Sequence, residues 1–111
     1  MEIATRTHND VTLVTVVGSL DSNSSPKAQQ TLDGILSDGA RKLVVDLTAL
    51  DYISSAGLRV LLVVAKRVQQ ASGKVVLFGL VPNVREIFAV SGFDRIFTVA
   101  EDAAAALAAA Q

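Results

Sequence analysis

Residues 43–47 read Leu-Val-Val-Asp-Leu, a short and nearly continuous aliphatic run. A strand of this kind is buried on both faces, which calls for a layer on each side of the sheet and points to largely parallel pairing. Helical periods stand where those layers have to come from. Upstream, Ala28, Leu32, Ile35 and Leu36 fall at i, i+4, i+7 and i+8. They follow Ser25-Pro26, a capping residue and a first-turn proline, and precede Gly39, a stop signal. Downstream, a second helix is expected over about residues 55–71, closed by Ser72-Gly73. Residues 74–78 repeat the aliphatic strand pattern, and a third helix runs from Pro82 to Val90 and stops at Ser91-Gly92. A last strand is expected at residues 96–99. An alanine-rich helix follows over 101–110, with Glu101 and Asp102 in the first turn, where the helix dipole favours acidic groups.

At the front of the chain, residues 2–7 and the β-branched run 11–17 flank His8-Asn9-Asp10, the pattern of an antiparallel hairpin. The stretch from Thr48 to Ser54 reads as a loop. The resulting order, β-β-α-β-α-β-α-β-α, implies an α/β fold in a single domain over residues 1–111. Its mixed sheet has about five strands, the first antiparallel and the rest largely parallel, with four helices.

Composition excludes several classes of function. Half of the 111 residues are hydrophobic, which rules out a disordered chain. Ten basic against eleven acidic residues leave no electrostatic footprint for nucleic acid or an anionic membrane. The chain has no cysteine and one histidine, His8, so no metal site and no cofactor is expected. No glycine-rich phosphate cradle is present. Ser55 lacks a Gly-x-Ser-x-Gly elbow, and His8 would be its sole base, so no catalytic residue is assigned. No apolar run approaches about 18 residues and no signal core opens the chain, so a cytoplasmic location without membrane insertion is expected.

The informative segment is Asp46-Leu47-Thr48-Ala49-Leu50-Asp51-Tyr52-Ile53-Ser54-Ser55-Ala56-Gly57-Leu58. A strand ends, a polar stretch follows, and two serines stand where the next helix begins. A phosphate at that place would meet the free N–H groups of a helix N-terminus and bring a charge of about −1.5 to −2. A plainer role is also open, in which Ser54 or Ser55 caps the helix and Gly57 accommodates packing. Asp46 and Thr48 are expected to hold the strand-end loop by hydrogen bonds, and Asp21 suits an Asx turn.

These residues resemble the signature of STAS domains, in particular bacterial anti-sigma factor antagonists. Asp46-Leu47-Thr48, then Leu50-x-Tyr52-Ile53, then Ser54-Ser55-Ala56-Gly57-Leu58 carry the resemblance. Gly18-Ser19-Leu20-Asp21-Ser22-Asn23-Ser24 looks like the family's loop after the second strand. Pro82, Val84, Phe88, Ser91-Gly92-Phe93 and Ile96-Phe97 look like its C-terminal pattern. The resemblance implies that Ser55 is the phosphoacceptor of an anti-sigma factor serine kinase. It also implies that the unmodified protein binds that kinase and so releases a sigma factor, and that a cognate phosphatase restores binding. Asp21 and Ser24 would sit in the docking loop beside Ser54, Ser55, Ala56 and Gly57. One departure stands out: Ser54 occupies a position where the family usually has Asp. That departure favours a second reading, a non-phosphorylated STAS interaction module such as an accessory subunit of a transport or stress-signalling complex.

On the second helix, Leu58, Leu61, Leu62 and Ala65 share a face that should pack on the sheet. Ala56, Val60, Val63 and Arg67 fall on the opposite side. That apolar strip is either a partner-binding surface through Val60 and Val63 or the seat of a neighbouring helix.

Overall fold

The computed structural model describes residues 1–111. Strand β1 (Glu2–His8) turns through Asn9 and Asp10 into β2 (Val11–Leu20), and the two pair antiparallel from Glu2↔Val17 to His8↔Val11. Parallel to β2 lies β3 (Lys42–Asp46), then β5 (Lys74–Phe78), then β6 (Thr98–Ala100), giving the spatial order β1-β2-β3-β5-β6. A further short strand, β4 (Leu50–Ile53), pairs parallel with the far end of β2. The helices are α1 (Ser25–Ser37), α2 (Ser55–Gln70), α3 (Pro82–Ser91) and α4 (Ala103–Ala110). The sheet is thus mixed, with one antiparallel pair and parallel partners beyond it, as expected.

Alternation along the inner strands divides the core in two. Val14, Val16, Val45 and Leu77 point to one face, where α1, α2 and α3 close a cluster of 20 buried residues. Val11, Val44, Val76 and Phe78 point to the other, where Ala106 and Ala110 of α4 cover them. Each fully buried Val, Leu or Phe contributes about 1.5–3 kcal/mol of apolar transfer, which explains why the aliphatic runs leave so little choice of topology. In α4 only the i, i+4 pair of alanines is buried, and their short side chains let the helix lie close to the sheet. Asp102 caps it by accepting from the Ala105 N–H at 2.8 Å, so the helix begins two residues later than the acidic pair suggests.

Three expectations need correction. Residues 50–53 form a strand, so the sheet has six strands where about five were expected. In β4 the two ends are buried and the middle two residues exposed, so no period-2 alternation announces it. The last strand is shifted from 96–99 to Thr98–Ala100. Ile96 and Phe97 instead leave a 3-10 turn at Phe93–Arg95, and Phe97 packs on Phe88 with ring centroids 6.0 Å apart. Finally, Val60 is no part of an outward strip. Helix α2 buries Leu58, Val60, Leu61, Val64 and Val68, and Val60 joins Ala28 and Leu32 of α1 in the larger cluster. A neighbouring helix therefore covers that side, tied further by the Arg67–Asp33 ion pair at 2.6 Å. Of the strip's large apolar residues only Val63 remains exposed.

Candidate functional site

The site is assembled where β2 changes partner. Beyond Thr15, where its pairing with β3 ends, β2 takes up β4: Gly18, with φ +100°, pairs with Leu50, and after a register shift Ser19 pairs with Tyr52 and Leu20 with Ile53. The ladder ends with the Ser54 N–H donating to the Leu20 carbonyl at 2.9 Å. One residue beyond Leu20 stands Asp21, and one beyond Ser54 stands Ser55. The two stretches separated by some thirty residues in the family-like pattern are thereby held side by side. Gly57 secures the junction: a Cβ there would lie 2.5 Å from the Leu20 carbonyl oxygen and 2.8 Å from Ile53 Cγ1. Only glycine lets the first turn of α2 sit this close to the end of β2. Gly57 is buried at that contact, so it shapes the surface from beneath.

The loop between β2 and α1 is tied by its own side chains. Asp21 Oδ1 accepts from the Asn23 N–H at 2.9 Å, the Ser24 N–H at 3.0 Å and the Ser24 hydroxyl at 3.2 Å. The Ser24 hydroxyl also lies 2.8 Å from the Ser19 carbonyl and accepts from the Asp21 N–H at 2.9 Å. The buried Ser25 hydroxyl donates to the Asp21 carbonyl. Donors around an ionised carboxylate favour its charged form, and the Ser24 N–H above all holds Asp21 below the usual carboxylate range. Asp21 is therefore an anion fixed in position at the surface. Asp46 does comparable work at the end of β3, accepting from the Thr48 N–H at 2.9 Å and the Thr48 hydroxyl at 2.7 Å.

The two serines of the motif divide the possible roles between them. Ser54 is the N-cap of α2, extended at φ −94° and ψ 175°, and its hydroxyl accepts from the Gly57 N–H at 3.3 Å. It thus supplies the capping oxygen that an aspartate would supply at the same position. Ser55 is the first residue of α2, exposed, and its hydroxyl makes no hydrogen bond within the chain. Ala56 beside it is half-buried.

Around Ser55 the structure adds Asn83, Glu86, Ile87 and Val90 of α3, which the sequence pattern did not single out as site residues. An open groove runs between the start of α2 and α3, lined by Tyr52, Ser55, Leu58, Glu86, Ile87 and Val90. Asn83 anchors its far wall, its side-chain amide donating to the Asp51 carbonyl at 2.6 Å. Tyr52 is 47% and Val90 84% exposed, which puts apolar surface on the groove's two walls. Val90 carried a usable signal: it falls off the Val84–Ile87–Phe88 face of α3, where a polar residue is expected. No helix is long and apolar enough to cross a membrane.

Comparison with known proteins gives a consistent answer. Residues 2–106 match the family model described as the STAS domain. A protein of Bordetella bronchiseptica named as an anti-sigma factor antagonist, BtrV, is 48% identical over 83% of this chain and 79% of its own length. The anti-sigma-B factor antagonist of Listeria monocytogenes is 30% identical over 76% of this chain and 74% of its own. Among solved structures, an anti-sigma factor antagonist from Mycobacterium paratuberculosis superposes with a TM-score of 0.89 at 25% identity, covering 98% of this chain and 92% of the other.

Proposed function

Because the chain belongs to the STAS domain family, with the anti-sigma factor antagonists, we propose that it is a reversible binding partner of an anti-sigma factor serine kinase, switched by phosphate on Ser55. The observation that carries this reading is the division of labour at the start of α2. Ser54 satisfies the helix cap, and the adjacent Ser55 hydroxyl is exposed and unbonded, open to a kinase without any loss to the fold. Docking uses Asp21 and Ser24 on the ordered loop, Ser54, Ser55 and Ala56 at the corner, and Val63 further along α2. By occupying the kinase, the unmodified protein releases a sigma factor in the cytoplasm. It performs no catalysis of its own.

Phosphorylation acts on the complex and leaves the free protein folded. In the free protein a dianion at the first residue of α2 is solvated and favoured by the helix dipole. In the complex the same charge is desolvated beside the fixed anion Asp21, and both effects oppose docking. A cognate phosphatase reverses the step. Calorimetric titration of the cognate anti-sigma factor kinase with Ser55→Ala and Ser55→Asp tests this. Ser55→Ala should bind like the unmodified protein, and Ser55→Asp about a hundredfold more weakly, equivalent to about 2.7 kcal/mol. Equal affinities would contradict the switch. The serine in place of the family's usual Asp at position 54 favours one competing reading, a STAS interaction module that is never phosphorylated. On that reading neither Ser54 nor Ser55 takes up phosphate from any kinase encoded beside it.

A further inference from the structure

Strand β1 is a free sheet edge. Its one strand neighbour is β2, all its residues except Ile3 are exposed, and its register runs unbroken from Glu2 to His8. It contains no proline and no bulge, two devices that ordinarily keep such an edge from pairing with another chain. The turn decides which backbone groups this edge offers. Only Asn9 and Asp10 separate His8 from Val11, so that closing pair exchanges its backbone hydrogen bonds. By alternation Arg6, Ala4 and Glu2 also bond inward to β2, and Ile3, Thr5 and Thr7 turn their N–H and C=O groups to solvent.

We propose that β1 is a self-association edge, pairing antiparallel with β1 of a second copy about a two-fold axis at Ala4. In that register Ile3 faces Thr5 of the second copy, so the outward groups of each strand meet outward groups of the other. Glu2 then lies opposite Arg6, and the symmetry repeats the pair at the other end. Both pairs occupy the non-hydrogen-bonded positions, where side chains approach most closely. Neighbouring registers lose this match: an axis at Thr5 sets Glu2 against His8, and an axis at Ile3 sets Glu2 against Ala4. An edge kept single by charge would carry one sign; this one carries opposite signs at positions that a two-fold axis brings together.

Exposed ion pairs and one added strand pairing make a weak association, with a dissociation constant between about 10 μM and 1 mM. The proposal does not depend on the role of Ser55. Sedimentation velocity across that concentration range, on the unmodified protein, Glu2→Arg, Arg6→Glu and the double exchange, tests it. The unmodified protein should dimerise, each single exchange should weaken dimerisation about tenfold or more, and the double exchange should restore it to within about threefold. On the unmodified protein, amide exchange at Ile3, Thr5 and Thr7 should slow as concentration rises. A monomer up to about 1 mM, a dimer indifferent to the single exchanges or unrestored by the double one, or unprotected amides at these three residues would overturn it.

Discussion

The β2–α1 loop and the first turn of α2 lie side by side at one end of the sheet, yet they are built in opposite ways. In the loop the side chains of Asp21, Ser24 and Ser25 are spent on the loop itself: Asp21 gathers three donors, Ser24 bonds to Ser19 and Asp21, and Ser25 donates to the Asp21 carbonyl. At the start of α2 one serine is used and its neighbour is free. The contrast suggests how a surface of this kind carries both shape and a signal. The loop holds a charge in a fixed place, and on the proposed reading a phosphate on the free hydroxyl would add a charge without disturbing what holds it. A residue that can be modified without structural cost has to be one on which the fold does not rely.

That contrast can be broken at the residues that create it. Gly57→Ala should have the largest effect on stability, because its methyl group would press on the Leu20 carbonyl and Ile53. Overpacking of this sort costs about 1–3 kcal/mol, read as a fall in the urea midpoint. If Gly57→Ala leaves the midpoint unchanged, the junction is looser than described. Ser54→Ala removes only the cap and should cost about 1 kcal/mol, or a Tm lower by about 3–6 °C.

Asp21 should leave a smaller trace in acid. Its carboxyl titrates below the ordinary range in the folded protein, chiefly through the Ser24 N–H. Its stabilising contribution is therefore complete above the unfolded pKa of about 3.9 and is lost as pH falls through the depressed folded value. Asp21→Asn should flatten the stability profile in that window and leave it unchanged near neutrality in slope. A profile identical to that of the unmodified protein would show that the loop does not depend on the charge. Ser55→Ala should be the quietest of the set, within about 0.5 kcal/mol of the unmodified protein. A clear loss of stability there would place Ser55 among the residues that hold the fold.

Much of this arrangement could be read before any coordinates. The aliphatic run at 43–47 demanded a sheet covered on both faces, and the helices that cover it announced themselves by period and caps. The role of Asp46 and Thr48 in their loop followed from side-chain chemistry alone. What escaped was decided by contacts distant in sequence. Strand β4 exists because β2 bends to meet it, and its own four residues show no alternation. The burial of Val60 depends on where α1 comes to rest, which no spacing within α2 can reveal. Ser54 and Ser55 were indistinguishable as candidate caps until the extended backbone of Ser54 assigned the role. Val90 was legible in principle, as an apolar residue off the buried face of its helix, and the groove beside it was not.

The central claim concerns which of two adjacent hydroxyls carries the signal. Site-resolved phosphopeptide mass spectrometry, after incubation with ATP and the cognate anti-sigma factor kinase, addresses it on the unmodified protein, Ser54→Ala and Ser55→Ala. The account predicts phosphate on Ser55 in the first two and none in Ser55→Ala. Phosphate on Ser54, or on neither serine, would contradict it.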